Sequence, residues 1–293
     1  MPLKWCASYL KGRKQSVVIG NTISKPKSID CSVPQGSVAG PFMFTIYASP
    51  LESVIKSFGV DCMIYADDTQ LYLLLDPSTR DTQLHRLEEC IRGVKSWTAE
   101  NKLLLNDAKT EVLHISSRFI RAPNPITSVC IDESPVATCK QVRNLGAIMD
   151  QHMTSLSHVS RVCQSASLAI AKIGGIRKYI DRTTAERLVH AFVTSRLDSN
   201  NSLMYGIPNS SIVKLQRVQN SAVRLVLGVK GYQINVNNLR RTQLHWLPIT
   251  DRIVFKILLL TFNVSMAWLP PTSRTFSSDI NPVALFVQPL NVF

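Results

Sequence analysis

The sequence predicts an α+β fold in two parts: an antiparallel sheet with helices on one face, followed by an all-α region. Three observations carry it. Residues 1–150 alternate short apolar runs with polar turns, the pattern of strands and their connections. From about residue 151 the apolar positions recur every three or four residues, as they do in helices. Charge divides at the same place: residues 1–150 carry 17 Lys and Arg against 15 Asp and Glu, whereas 151–270 carry 15 against 4. A formal charge of +13 is thus concentrated in the later part, as expected of a surface that lies along a polyanion. Nucleic acid is the leading partner. An acidic membrane is the competing one, but it calls for a basic segment beside a strongly apolar, aromatic-bearing face, and none is evident. With 293 residues and 45% hydrophobic content, the chain is long enough for two domains and too apolar to be wholly disordered. The expected divisions are 1–150, 151–270 and a tail at 271–293 whose Pro, Ser, Thr and Asn content predicts weak packing.

In chain order, residues 4–20 read as a short amphipathic piece and then a strand over Gln15–Ile19 that ends at Gly20-Asn21. Val38–Phe58 reads as one buried helix, with Ser37 as N-cap and Pro41 in its first turn. Val60–Ile64 and Leu71–Leu75 read as two strands of a hairpin. Residues 79–105 suit an amphipathic helix, because Leu84, Leu87, Cys90, Ile91, Val94 and Trp97 share a face. Lys109–Ile115 and Val142–Ile148 read as further strands. Helices are expected at 155–173, 183–197, 210–228 and 250–265, the second opened by a Thr183-x-x-Glu186 capping box. Stepping 100° per residue through the third places Ile212, Leu215, Val218, Ala222, Leu225 and Val226 on one arc and Lys214, Arg217 and Arg224 on another, one for a core and one for phosphates or plain solvent.

The most informative residues are Asp67 and Asp68, adjacent acids at the tip of the 60–75 hairpin. Such carboxylates repel each other, and a divalent cation with a taste for hard oxygen ligands, Mg²⁺ or Mn²⁺, would neutralise them; a solvated Asp-Asp turn is the alternative. Seven cysteines, odd in number and never in a Cys-x-x-Cys pair, are expected to be reduced thiols of an intracellular protein, nuclear or cytoplasmic and not secreted. The start has no long apolar leader, and the most hydrophobic late run, Ile253–Val264, is short and interrupted by Lys256, so no membrane span is expected. Six isolated histidines outline no zinc site, and Asn-x-Ser/Thr matches at Asn200, Asn209 and Asn263 are read as chance.

Taken in order, several strings resemble the reverse transcriptases of non-LTR (LINE-type) retrotransposons. They are Trp5–Leu10 with Arg13-Lys14-Gln15, Val33-Pro34-Gln35-Gly36-Ser37-Val38-Ala39-Gly40-Pro41, and Tyr65-Ala66-Asp67-Asp68-Thr69-Gln70-Leu71-Tyr72. Asn101–Asn106 with Lys109-Thr110-Glu111, Asn144-Leu145-Gly146 and Leu244-His245-Trp246-Leu247-Pro248-Ile249 follow in the family's order, so the resemblance runs from about Trp5 to Pro271.

The resemblance implies a partial polymerase palm followed by a basic helical thumb, acting on an RNA template, a DNA primer and deoxynucleoside triphosphates. It implies two-metal nucleotidyl transfer with Asp67 and Asp68 as metal-binding carboxylates, Tyr65 beside the primer end, and Gln35 and Gly36 near nucleotide and template. It also implies Lys109 near the triphosphate, or else a surface lysine, Leu145 and Gly146 in the primer grip, and Lys214, Arg217 and Arg224 on the duplex backbone. His245 and Trp246 are read as packing residues. The family's other essential aspartate belongs to a strand before the Trp5 segment, so the residues present are expected to hold Mg²⁺ weakly and to be inactive alone; a non-catalytic nucleic-acid-binding remnant and a translated pseudogene fragment are the alternatives. Ser32 and Ala39 depart from the usual glycine and larger aliphatic.

Overall fold

In a computed structural model, residues 2–293 are described except 30–32, 34–35, 77, 107–108, 120–125, 132–133, 231–233, 267–282, 286–289 and 292–293. They form two compact units: Met1–Lys140 with Asn281–Phe293, and Gln141–Ile280. Gln35 and Ser32 lie outside the described residues, as does most of the tail expected to pack weakly.

The first unit opens with α1 (Pro2–Leu10), on which Trp5 stacks against Tyr9 one turn later. The expected strand at 15–19 is instead shared between β1 (Lys14–Gln15) and β2 (Val18–Ile19), which fold back antiparallel on β4 (Lys27–Ser28) and β3 (Thr22–Ile23) respectively. Gly20, with φ +57°, supplies the left-handed turn between β2 and β3.

The single helix expected over 38–58 is two, α2 (Gly40–Ala48) and α3 (Pro50–Ser57). Pro50 has no N–H to continue α2, and the Ile46 carbonyl is taken instead by the amide and hydroxyl of Ser49. Pro41 sits at the start of α2 as expected, but Ala39 is the cap, and the Ser37 hydroxyl pairs with the Tyr9 phenol instead. Nor is the segment wholly buried: α2 exposes Phe42, Ile46 and Tyr47, while α3 buries Leu51 and Ile55.

The hairpin is β5 (Asp61–Tyr65) and β6 (Asp68–Leu73), antiparallel from Asp61↔Tyr72 to Tyr65↔Asp68. Next come α4 (Arg80–Glu100), β7 (Leu104–Leu105), β8 (Val112–Leu113), β9 (Ser128–Ile131) and β10 (Ser134–Cys139). Of the strand expected at 109–115, only β8 is extended, and it pairs parallel with β10. The sheet is therefore several small pieces, all but this pair antiparallel. Leu51 and Ile55 of α3, Leu71 of β6, Leu87, Ile91 and Val94 of α4, and Val129 and Ile131 of β9 make its core. The amide of Cys130 on β9 donates to the Glu88 carboxylate of α4, closing that layer at its rim.

One contact fixes how closely α3 approaches α4. A Cβ at Gly93 would lie 2.6 Å from the edge of the Phe58 ring. Gly93→Ala adds about 1 kcal/mol of helix propensity but forces the ring aside, and overpacking of this kind costs about 1–3 kcal/mol. A net loss of stability is expected in urea unfolding of the first unit; a gain would show that the ring swings away freely.

The second unit begins with β11 (Gln141–Asn144) and β12 (Ala147–Asp150), a two-residue hairpin where one strand over 142–148 is expected from the sequence. Leu145 and Gly146 both have positive φ, +44° and +85°, which is the chain reversal a two-residue hairpin loop needs. Then follow α5 (Leu156–Ile176), α6 (Arg182–Val189), a π-helical turn over His190–Thr194, α7 (Ser195–Asp198), α8 (Asn209–Leu227), α9 (Val236–Thr242) and α10 (Ile249–Ser265). Asp181, not Thr183, caps α6, accepting the Thr184 amide at 2.9 Å. Val159, Ala166 and Ile173 of α5, Val189, and Leu215, Ala222 and Val226 of α8 pack with Trp246, Ile249 and Ile253 into this unit's core. Two strands near the end of the chain, β13 (Val283–Leu285) and β14 (Leu290–Asn291), return to the first unit, where they pair with β6 and β7.

Among the described residues, no helix is long and apolar enough to cross a membrane. Six cysteines are described, and each is a free thiol. Burial pushes the thiols of Cys62 and Cys90 up to about 11 and about 12, which removes them from nucleophilic chemistry at neutral pH.

Candidate active site and nucleic-acid interface

Antiparallel pairing carries β5 and β6 to a two-residue turn, Ala66 and Asp67, closed by the Tyr65↔Asp68 pair. Ala66 sits at φ +53°, a region that costs an L-residue on the order of 1–2 kcal/mol. The turn is held because β6 is anchored beneath it: Thr69, Gln70 and Leu71 are buried in succession. Above this anchor Tyr65 and Asp67 are exposed and Asp68 is half-buried.

The electrostatics join three of the expected residues. Burial raises the Asp68 carboxyl above its usual range, the neighbouring Asp67 carboxylate raises it further, and the Lys109 ammonium opposes both. Lys109, exposed, thus stands close enough to the acid pair to act on it. Two hard carboxylate donors whose mutual repulsion is only partly met by one lysine fit a divalent oxygen-seeking cation. Among the described residues no group of three or more His, Cys, Asp or Glu could hold a metal ion.

Gly36 is exposed with φ +79°, and a Cβ built on it would meet nothing within 4 Å. Its conformation, not crowding, is what calls for glycine there.

The remaining expected residues belong to the second unit. Leu145 and Gly146 form the β11–β12 turn, with Leu145 42% exposed despite its apolar side chain. On α8, Leu215, Val218, Ala222 and Val226 are buried while Lys214 and Arg217 are exposed and Arg224 is half-buried, so the helix divides into the expected apolar and basic arcs. His245 is exposed with φ +55°, and Trp246 is buried, its ring edge-on to His190 at 5.1 Å.

Two further residues of this unit bear on the turn, one of which, Asn200, the sequence marks only as a chance Asn-x-Ser match. His158, on α5, is 4% exposed and accepts the Ile148 amide of β12 on Nδ1 at 3.3 Å. Asn200, itself at φ +54°, donates from Nδ2 to the Leu145 carbonyl at 3.2 Å. A lone histidine within an amphipathic helix gives no sequence signal that separates it from an ordinary core residue.

Residues 1–149 match the family profile described as reverse transcriptase (RNA-dependent DNA polymerase). The chain is 22% identical over 243 residues to a probable RNA-directed DNA polymerase from transposon X-element of Drosophila melanogaster, covering 81% of this chain and 25% of that protein. It is 26% identical over 171 residues to the RNA-directed DNA polymerase from mobile element jockey of Drosophila funebris, covering 57% of this chain and 18% of that protein. It spans about a quarter of the length of the first curated relatives it matches. No solved structure matches it at a significant level. The family profile takes in half of the residues and every described member of the acid–lysine group, and the chain belongs to the reverse transcriptase (RNA-dependent DNA polymerase) family, in its LINE-type branch from non-LTR retrotransposons.

Proposed function

We propose that the chain is the primer-end portion of an RNA-directed DNA polymerase, with the first unit as part of the palm and the second carrying the primer grip and thumb. The observation that carries this reading is the Asp67–Asp68 pair on a strained hairpin turn with Lys109 acting on it. Asp67 and Asp68 would hold Mg²⁺ or Mn²⁺, and the cation, when bound, would neutralise developing charge on the transferring phosphoryl group. Lys109 would sit against the triphosphate, stabilising the leaving group or protonating it, and Tyr65 would border the primer end. Gly36 and Gln35 would lie along nucleotide and template. RNA template, DNA primer and deoxynucleoside triphosphates are the substrates of this reading.

A non-catalytic use, binding duplex without turnover, is the second reading. It is favoured by the excess of 15 Lys and Arg over 4 Asp and Glu in residues 151–270. Under it, residues 1–293 extend no primer by themselves, and RNA-templated incorporation that Asp67→Ala abolishes would overturn it. The work of both readings would lie inside the cell.

The metal part has a test independent of turnover. A cation on the pair favours the ionised form, so Asp68, whose carboxyl is raised in the free protein, should titrate at lower pH when millimolar Mg²⁺ is added. Carbon-13 spectra of labelled aspartates follow this directly, with Asp67→Asn as the control expected to weaken the response. A titration of Asp68 that Mg²⁺ leaves in place would sink the metal assignment.

A further inference from the structure

The Leu145–Gly146 turn is strained, and strain of this kind persists only where neighbours over-determine it. Leu145 at φ +44° carries a side chain in a region that disfavours one. In an antiparallel hairpin whose turn is closed by Asn144↔Ala147, the next pair, Arg143↔Ile148, does not exchange ladder hydrogen bonds, so the Ile148 N–H points outward from the hairpin. That amide meets Nδ1 of His158, and the Leu145 carbonyl meets Nδ2 of Asn200. An imidazole that accepts on Nδ1 carries its one proton on Nε2 when neutral. Nε2 of His158 is buried with no partner among the described residues, and burial holds the ring's affinity for a second proton down. The loop after β12 is fixed as well, because the Asp150 carboxylate accepts from the His152 amide and from both the amide and hydroxyl of Thr154.

We propose that His158 is a positioning residue for the Leu145–Gly146 turn: as the Nε2–H tautomer it takes the outward Ile148 amide on Nδ1 and ties the hairpin to α5, while Asn200 holds the turn's first carbonyl. The consequence for primer binding rests on the reading given above; the tie itself does not. Nothing in the family resemblance singles these two residues out, and neither is expected to touch the reacting atoms.

The full chain, labelled with nitrogen-15, decides it. Long-range nitrogen–proton spectra should show a neutral His158 ring protonated on Nε2; protonation on Nδ1 would overturn the proposal without any variant. His158→Leu should speed exchange of the Ile148 amide about tenfold, the loss expected of one buried hydrogen bond. It should also weaken binding to an RNA–DNA hybrid about three- to tenfold. His158→Asn, whose carbonyl oxygen falls near the place of Nδ1, should restore most of both. Unchanged exchange in His158→Leu, or an Asn variant as poor as Leu, would reduce the residue to packing and overturn the proposal. Faster exchange with unchanged affinity would overturn the presentation of the turn to duplex. If the unaltered chain binds no hybrid while Ile148 responds as stated, the functional reading fails and the positioning stands.

Discussion

Arg177→Ala is expected to cost the second unit about 3 kcal/mol and to lower its unfolding midpoint by about 10 °C. The reason lies at the end of α8. A helix leaves its last carbonyls without amide partners, and a buried orphan carbonyl is costly. Arg177 follows α5 directly, and its guanidinium donates to two carbonyls at the end of α8, from Nε to Leu225 at 2.8 Å and from Nη2 to Val226 at 2.9 Å, and from Nη1 to the Ile180 carbonyl just before α6 at 2.8 Å. Its positive charge also sits at the negative end of the α8 dipole. Gly228, at φ +67°, ends the helix beside it, and its amide bonds back to α8. One side chain thereby joins the ends of α5 and α8, the helices that supply much of the unit's core. Arg177→Lys keeps the charge but not the planar fork of donors, so it should recover less than half of the loss. Urea unfolding followed by exchange of the α8 amides measures both variants. A cost below about 1 kcal/mol for Arg177→Ala would show that water satisfies the freed carbonyls.

What the sequence made legible depended on how local the governing physics is. The 61–73 hairpin could be read because apolar runs flank a polar tip, and α8 because a 100° step separates its buried and basic arcs. The hairpin at 141–150 reads in the sequence as one strand because Leu145, an apolar residue, occupies a turn position and masks the reversal. Only Gly146 marks the turn in the sequence. The break between α2 and α3 had its signal in Ser49-Pro50, but a strongly apolar run outweighed it. At the start of α6, Asp181 and Thr183 both suit a cap, and propensity does not choose between them. The β9–β10 hairpin and α9 carry little sequence signal, the first being short with Pro135 inside it, the second only seven residues long. Within the candidate site, adjacency of Asp67 and Asp68 is written in the chain, whereas Lys109 reaches them from 41 residues away. That approach is set by the fold of the first unit, and only resemblance to a family could anticipate it. The tie from Asn200 to the Leu145 carbonyl, 55 residues away, is of the same kind, and that from His158 to the Ile148 amide, though only 10 residues apart, also joins two different elements.

Changing Lys214, Arg217 and Arg224 together to alanine is expected to weaken binding of an RNA–DNA hybrid about 100-fold at low salt. It should also flatten the dependence of affinity on salt by about 2–3 in the log–log slope. On α8 the three stand within a narrow arc beside the buried one, and Lys214 and Arg217 are exposed. Each phosphate neutralised by such a residue releases condensed counterions, so removing three contacts must show in the slope as well as in the affinity. The alternative, an ordinary solvated basic face, predicts a small loss through net charge alone, because exposed charges farther apart than about 10 Å are screened at moderate salt. A control separates the two. Lys11, Lys25 and Lys27 of the first unit carry the same total charge, and the triple alanine variant there should leave the slope nearly unchanged. Loss of the same size from both triples would mean that net charge, and not the α8 face, holds the duplex. A slope that neither changes would remove nucleic acid from this helix altogether. The substitutions lie outside the core arc, and alanine is a better helix former than the residues replaced, so α8 should persist and the measurement should report binding.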